Sequence, residues 1–136
     1  MFKAPNHIFQ NWNKELYIAT KKEVILDDYG NQIVTYNEPF YFGKVNYQPI
    51  TRRELLEAYY KIYGETEKSV ISLFLDYTED GKFKTFDLAY LYGANPKGEK
   101  QYGENANYIV KAYKPQNTKI MVIFEEIEKE DHNGNN

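Results

Sequence analysis

Short apolar runs separated by turn residues predict that the first part of the chain folds into β-strands. Residues 15–26 are extended in character, with a bend near Lys21, and lead into the turn-forming segment 27–31. Strand character resumes over residues 32–36, so this region predicts a hairpin. Alternation over residues 40–47 then predicts a further strand, which a proline ends.

One segment has helical spacing. Thr51 and Glu54 stand three residues apart and match a capping box, which predicts a helix start. The apolar residues that follow lie on one helical face, and Gly64 suits the position just past the helix end. The pattern therefore predicts one helix, over about residues 52–63, with a face formed by Leu55, Leu56, Tyr59, Tyr60, Ile62 and Tyr63.

The second half of the chain returns to strand patterns. Residues 69–76 predict a strand, residues 83–91 predict one or two short strands, and residues 107–113 and 118–127 predict a final hairpin. Residues 92–106 lie between the segments 83–91 and 107–113. They lack periodicity and are rich in glycine, which predicts a long loop. The expected fold is mostly β, a small antiparallel barrel or sandwich with one inserted helix and long projecting loops.

The length of 136 residues is that of one ordinary domain. We expect an N-terminal arm over residues 1–14, a single β-rich domain over residues 15–128, and a mobile, acidic and polar tail over residues 129–136. Residues 1–30 lack the apolar run of a signal peptide, and no stretch approaches eighteen apolar residues. We therefore expect synthesis in the cytoplasm and no membrane partner.

Composition adds a surplus of aromatic residues and an uneven charge. Aromatic residues make up 17% of the chain and include fourteen tyrosines, which suit both strands and interfaces. The net charge is −3, but residues 125–131 hold five acids and one lysine, so the remainder carries +1. A nearly neutral body argues against strong, sequence-independent binding to nucleic acid.

The residues that usually carry catalysis are scarce or poorly placed. The chain has no cysteine, and its two histidines, His7 and His132, stand in the polar ends. The carboxylate pairs at 27–28 and 79–80 lie in predicted turns, where Asp is favoured for its bonds to the local backbone. Neither a GxSxG elbow nor a phosphate-binding loop is present. The sequence predicts a protein that is not an enzyme and uses no metal and no cofactor.

Two segments are candidate protein-contact loops, the turn 27–31 and the loop 93–105, because long glycine-rich loops often carry function. Lys97 and Lys100 could reach a phosphate backbone, but Glu99 and Glu104 dilute their positive field. The predicted contact residues are Asp28, Tyr29, Gly30, Asn31, Asn95, Lys97, Lys100 and Tyr102.

Three further residues, Tyr41, Arg52 and Arg53, are candidates for a subunit interface. Strand alternation places Phe40 and Phe42 in the core and Tyr41 outside. Arg52 and Arg53 oppose the dipole at a helix start unless anionic groups lie nearby, in solvent or on a neighbouring subunit. A solvated face is the alternative interpretation of these arginines.

The order of the segments resembles that of head-completion or head–tail joining proteins of tailed phages of Gram-positive hosts. The resemblance is carried by DDYGNQIVTYNEPF, by VNYQPIT before the helix, and by FDLAYLYGANPKGEKQYGENANYIVKAYKPQNTKIMVIFEEI. In the last stretch it rests on an Asp-x-Ala-x-Leu segment at residues 87–91, a loop, and the Ala-Asn-Tyr strand at residues 106–108.

The resemblance implies a structural protein of the virion neck. It would be one subunit of a twelvefold ring below the portal and adaptor proteins and above tail or neck proteins, and would help retain packaged DNA, with passing contact to that DNA. Two alternatives remain open: a tail-completion or adaptor ring of the same neck, and a non-viral carbohydrate- or nucleic-acid-binding barrel that uses Tyr41 and Tyr47 as a stacking platform.

Overall fold

The computed structural model describes residues 14–76, 82–115 and 119–127. These residues form nine strands and one helix, and the prediction of a mostly β fold with one helix is confirmed. The elements are β1 (Lys14–Ala19), β2 (Lys21–Leu26), β3 (Gln32–Tyr36), β4 (Phe40–Val45), β5 (Tyr47–Pro49), α1 (Arg53–Tyr63), β6 (Val70–Asp76), β7 (Leu88–Tyr90), β8 (Tyr108–Pro115) and β9 (Lys119–Glu126).

Seven strands form one antiparallel sheet in the order β4-β1-β7-β8-β9-β6-β5. The two edge strands of this sheet, β4 and β5, are separated in the chain only by Asn46. Such a short connection brings opposite edges of the sheet together, so the sheet curls into a nearly closed barrel. Of the two architectures expected from the sequence, the barrel is the one that forms.

The barrel interior is filled by alternate residues of its strands, as the period of two requires. In β8 a bulge between Val110 and Ala112 reverses this alternation, so Val110 faces the interior whereas Ala112 packs outside. The fully buried interior side chains include Leu16, Ile18, Tyr47, Ile71, Leu73, Phe83, Leu91, Val110, Ile120, Val122 and Phe124.

The strands β2 and β3 form a separate two-stranded sheet that continues from the barrel. Because β1 pairs with β4 and β2 pairs with β3, residues 14–45 make one long ribbon. The ribbon is interrupted at Thr20, whose carbonyl accepts a bond from Asn37 N at 2.9 Å and whose hydroxyl accepts one from Asn37 Nδ2 at 2.8 Å. Half of the ribbon thus belongs to the barrel wall, and the half that we call the projecting hairpin, residues 20–37, extends from it.

The helix α1 packs on the outer face of the barrel, over β6, β8 and β9. Tyr59 is buried there against Val70, Ala112 and Ile123. Its hydroxyl donates a short hydrogen bond to Glu125, and burial together with this carboxylate raises the pKa of Tyr59 above its ordinary range. An aromatic side chain that is buried and bonded at its polar end fixes the helix on the sheet.

The predicted capping box at the start of α1 is wrong. Arg52 occupies the N-cap position in an extended conformation, without a side-chain cap, and Thr51 lies one position too early to serve. Glu54 instead lies 3.9 Å from Arg52. The helix end agrees with the prediction, because Gly64 follows Tyr63 at φ 92° and its N–H bonds the carbonyl of Tyr60 at 2.8 Å.

Other predictions need smaller corrections. Phe40, expected in the core, is 44% exposed, because it is the first residue of β4, which is an edge strand of the sheet. Lys14, expected in an N-terminal arm, begins β1. The rest of that arm with His7, the turn at 79–80, and the tail with His132 lie outside the described residues.

Candidate protein-interaction site

The projecting hairpin leaves its apolar side chains exposed. Every residue of β2 is exposed, and Leu26 retains 67% of its side-chain surface. Consecutive strand residues face opposite sides, so the run Val24, Ile25 and Leu26 makes both faces of the hairpin apolar. Ile33 and Val34 of β3 are exposed as well. The hairpin therefore presents apolar surface on both sides that the barrel does not cover.

The hairpin tip is held in one conformation by Asp27. Its carboxylate accepts bonds from the backbone N–H of Tyr29 at 2.9 Å and of Asn31 at 2.8 Å, and these bonds, that from Asn31 first, lower the pKa of Asp27. Gly30 supplies the positive φ of the turn. Asp28 and Tyr29 stay exposed at this tip, Tyr29 to 89%, so the predicted contact residues do lie on an open surface.

The base of the hairpin is fixed by hydrogen bonds to Asp87, which is only 1% exposed. We call this group of bonds the Asp87 clamp. One carboxylate oxygen accepts a bond from Lys21 N at 2.9 Å, and the other accepts one from Lys84 N at 3.0 Å. Burial raises the pKa of Asp87, although both hydrogen bonds and both lysine charges act in the opposite direction. Asp87 begins the Asp-x-Ala-x-Leu segment of the resemblance, but no bonding role was predicted for it from the sequence. The signal that could have found it is an acid between apolar neighbours.

The turn that carries Asp87 is itself tightly bonded. Phe86 adopts a positive φ of 76°, which is unusual for a residue with a side chain. Its N–H bonds the carbonyl of Val110 at 2.8 Å, and Val110 N returns a bond to the carbonyl of Asp87 at 2.8 Å. The ammonium group of Lys21 lies 5.4 Å from the centre of the Phe86 ring. The hairpin base is thus fixed by backbone and side-chain contacts together.

The long loop 92–107 is an ordered structure built around Glu99. The carboxylate of Glu99 accepts bonds from the Tyr90 hydroxyl at 2.6 Å and from Asn105 N at 2.7 Å. Glu104 likewise accepts a bond from Lys100 N at 2.9 Å. The sequence interpretation treated these two acids as diluting the charge of the neighbouring lysines, whereas the structure uses them to bond the loop backbone.

Two asparagines complete the loop. Asn107 bridges the backbone N–H and carbonyl of Leu91, each at 2.9 Å. Asn105 donates to the carbonyls of Asn95 at 3.2 Å and Lys97 at 3.1 Å. The loop therefore holds the predicted contact residues Asn95, Lys97, Lys100 and Tyr102 at fixed places, and all four are exposed.

The loop lies along strand β3 of the projecting hairpin, from Ile33 to Tyr36 at the base. A cleft of about 440 Å³ separates residues 33–36 from residues 101–104, and a second cleft of about 480 Å³ lies between residues 95–99 and the 38–39 connection. Tyr102 lines both clefts. The turn 27–31 lines neither cleft. The structure thus brings the loop to the hairpin base, while the tip forms a separate contact surface.

The three candidate interface residues are exposed and line neither cleft, although Tyr41 packs beside the second cleft on its lining residue Tyr17. Tyr41 packs against Tyr17 with ring centres 5.1 Å apart. Arg53 pairs with Glu57 at 3.2 Å, and Arg52 pairs with Glu54, so both acidic partners belong to α1. The anionic groups that these arginines need at the helix start are therefore supplied by the helix itself.

A stacking platform made of Tyr41 and Tyr47 does not exist. Tyr47 is fully buried in the barrel interior, and its hydroxyl oxygen accepts a bond from Tyr92 N at 2.7 Å. Tyrosine in an interior position has no face to offer a sugar or a base. The alternative of a ligand-binding barrel is left with Tyr41 alone.

The described ranges contain no group of three or more His, Asp or Glu side chains placed to hold a metal ion. No helix in that part of the chain is long and apolar enough to cross a membrane. Comparisons with protein-family models, with curated proteins and with solved structures found no match to this chain.

The Asp87 clamp gives a prediction for stability against pH. The folded-state pKa of Asp87 lies above its ordinary value of 3.8, so just above that pH the folded protein binds more protons than the unfolded chain. The stability that Asp87 contributes therefore falls as pH rises through the folded pKa. In urea unfolding, we expect the advantage of the native protein over Asp87→Asn to shrink between pH 4 and pH 7 and to remain about 1 kcal/mol at pH 7, because asparagine offers one acceptor for two donors. An advantage that grows with pH would contradict this.

The contact between the loop and the hairpin base gives a second prediction. A Cβ on Gly103 would lie 2.6 Å from Leu88 Cδ1, at a φ of 91°. Gly98 has a similar φ of 79°, but nothing lies within 4 Å of its missing Cβ. We expect Gly98→Ala to lower the free energy of unfolding by about 1 kcal/mol through backbone strain. Gly103→Ala should cost roughly 1–3 kcal/mol more, because overpacking is added to that strain. Equal losses in chemical denaturation would show that Gly103 is not packed against Leu88 of β7, beside Tyr36 at the hairpin base.

Proposed function

We propose that this chain is a structural subunit of a connector ring that joins the portal and adaptor proteins of a tailed phage to its tail. In this proposal the protein acts without catalysis and without a cofactor, and helps retain packaged DNA. It is made in the host cytoplasm and then incorporated in the neck of the virion. The identity of the assembly comes from the sequence resemblance, and the structural support comes from the projecting hairpin.

The observation that carries the proposal is the apolar surface on both faces of the projecting hairpin. A two-stranded hairpin is marginally stable by itself, and exposed apolar patches mark sites of protein interaction. Here Val24, Ile25 and Leu26 stay exposed even though the base of the hairpin is fixed by a buried carboxylate. A ribbon whose apolar residues stay exposed although its base is fixed favours contact with another protein.

The loop 92–107 supports the same proposal. A subunit between two other rings needs contact surfaces that keep their shape, and an ordered loop loses less entropy on binding than a flexible one. Glu99 and Asn105 supply that order. We propose that Asn95, Lys97, Lys100 and Tyr102 contact the portal, adaptor, tail or neck proteins, with Lys97 and Lys100 in passing contact with DNA.

Removal of the protein is the direct test of this function. We expect particles produced without the gene for this chain to show, in negative-stain microscopy, heads that have lost DNA and carry no tail. Supplying the full chain from a plasmid should restore tailed particles. Normal infectious particles without the chain would refute the connector function.

The role of the projecting hairpin is tested by exposed substitutions. Val24→Thr with Leu26→Thr keeps strand-compatible residues on one face and should change the free energy of unfolding by less than about 1 kcal/mol in total. We expect this variant to fail in plasmid complementation, at least tenfold below the native chain in infectious particles, because the apolar contact is lost. Lys22→Thr, an exposed substitution on the same strand that removes no apolar side chain, is the matched control and should complement. Equal complementation by both variants would show that the apolar hairpin is not the contact.

A further inference from the structure

An apolar groove of about 160 Å³ lies between the helix α1 and the outer face of the barrel, away from the surface described above. Its walls are apolar on both sides. On the helix, Leu55 is 49% and Ile62 is 62% exposed, and on β6 Phe74 is 53% exposed. The principal lining residues are Leu55, Tyr59, Ile62, Phe74, Met121 and Ile123.

We propose that this groove receives the tip of the projecting hairpin of a second copy of the same chain. The inference rests on the proposed function, because it names the contact that joins neighbouring subunits of the ring. It assigns both halves of the interface, the hairpin tip on one copy and the groove beside α1 on the next.

The chemistry of the two surfaces is complementary. The groove is apolar and, among the described residues that line it, Lys114 is the one with a charge. The hairpin tip combines the exposed apolar side chains of Leu26 and Tyr29 with the acidic Asp28. An apolar tip with a negative charge fits an apolar groove with a positive charge at its wall, and the charge pair fixes which way the tip enters.

The positions of the two surfaces favour a head-to-tail contact. The hairpin base packs over β1 and β7, where Tyr36 contacts the cluster of Ala19 and Leu88. The groove lies over β6 and β9, two to four strands further around the barrel. One copy can therefore place its hairpin on one neighbour while its groove receives the hairpin of another. A contact between two different surfaces generates a ring when its rotation closes.

The hairpin tip makes a small contact in this arrangement. The six residues of β2 extend about 20 Å at the usual strand rise. None of the residues that line the groove comes from the chain's own hairpin. Because a groove of this size accepts only the tip, the contact covers less than the roughly 1,200 Å² of a stable interface. We therefore expect weak association of free copies and tighter association when each copy is held by two neighbours.

The absence of native cysteine makes this contact testable by disulfide trapping. Full-length Leu26→Cys is mixed with full-length Ile62→Cys under mild oxidation, and mixed dimers are measured by mass. The control replaces the second variant with Glu57→Cys, on the same helix but outside the groove lining. We expect roughly tenfold more mixed dimer with Ile62→Cys than with Glu57→Cys, because pre-associated thiols react at a raised effective concentration.

A charge exchange sharpens the result. In the same trapping experiment, Lys114→Glu in the Ile62→Cys chain should lower the yield of mixed dimer several-fold, and Asp28→Lys in the Leu26→Cys chain should restore it. All four sites are exposed, so these substitutions should leave the fold intact, as thermal unfolding will verify. Equal yields with Ile62→Cys and Glu57→Cys, or predominant dimers of Leu26→Cys with itself, would overturn the proposed contact.

The result of the disulfide-trapping experiment is independent of the test of the neck function. Trapping uses the purified protein, whereas the neck function is judged on particles that lack the gene. Mixed dimers together with normal particles would refute the connector function and leave the contact between copies. Tail-less particles without selective trapping would leave the connector function and refute the contact, and the groove would then belong to a different protein of the assembly.

Discussion

The hydrogen bonds of a single buried carboxylate determine where the projecting hairpin stands. Asp87 is separated from Lys21 by 66 residues, yet its carboxylate accepts bonds from the amide of Lys21, the first residue of β2, and from the amide of Lys84 in the supporting turn. Burial of this charge is costly, as the raised pKa of Asp87 records, and the two bonds offset part of that cost. Removing the carboxylate would leave two backbone donors without their partner at the point where the ribbon leaves the barrel.

Hydrogen bonds to a carboxylate also order the long loop, where Glu99 accepts bonds from the Tyr90 hydroxyl and from the amide of Asn105. Both segments therefore depend on acids that are bonded to the protein's own backbone. The hairpin and the loop are therefore each held in place by these bonds, while their outer surfaces stay exposed. The apolar faces of the hairpin stay open although the chain around its base is closely bonded, which is the arrangement expected of a surface preorganised for a partner.

Much of the fold could be predicted from the sequence because its signals are local. Alternation predicted the strands, the turn chemistry of residues 27–31 predicted the hairpin, and Gly64 correctly marked the helix end. Barrel closure, the Asp87 clamp and the role of Glu99 could not be predicted, since they arise where distant segments meet. The same limit affected the aromatic residues: alternation cannot say which face of a strand is inside, so Tyr47 was open to interpretation as a platform although it fills the barrel.

Exposed apolar strands favour indiscriminate edge-to-edge pairing as well as specific contact, and the hairpin has features that act against the former. Charged residues occupy both of its ends, with Lys21, Lys22 and Glu23 at the base and Asp27 and Asp28 at the turn. Because Asp27 fixes the turn by bonding the backbone, the register of the two strands is set locally. A ribbon with fixed register and charged ends can present its apolar residues in one arrangement only. That restriction is what the proposed contact between copies of the chain requires.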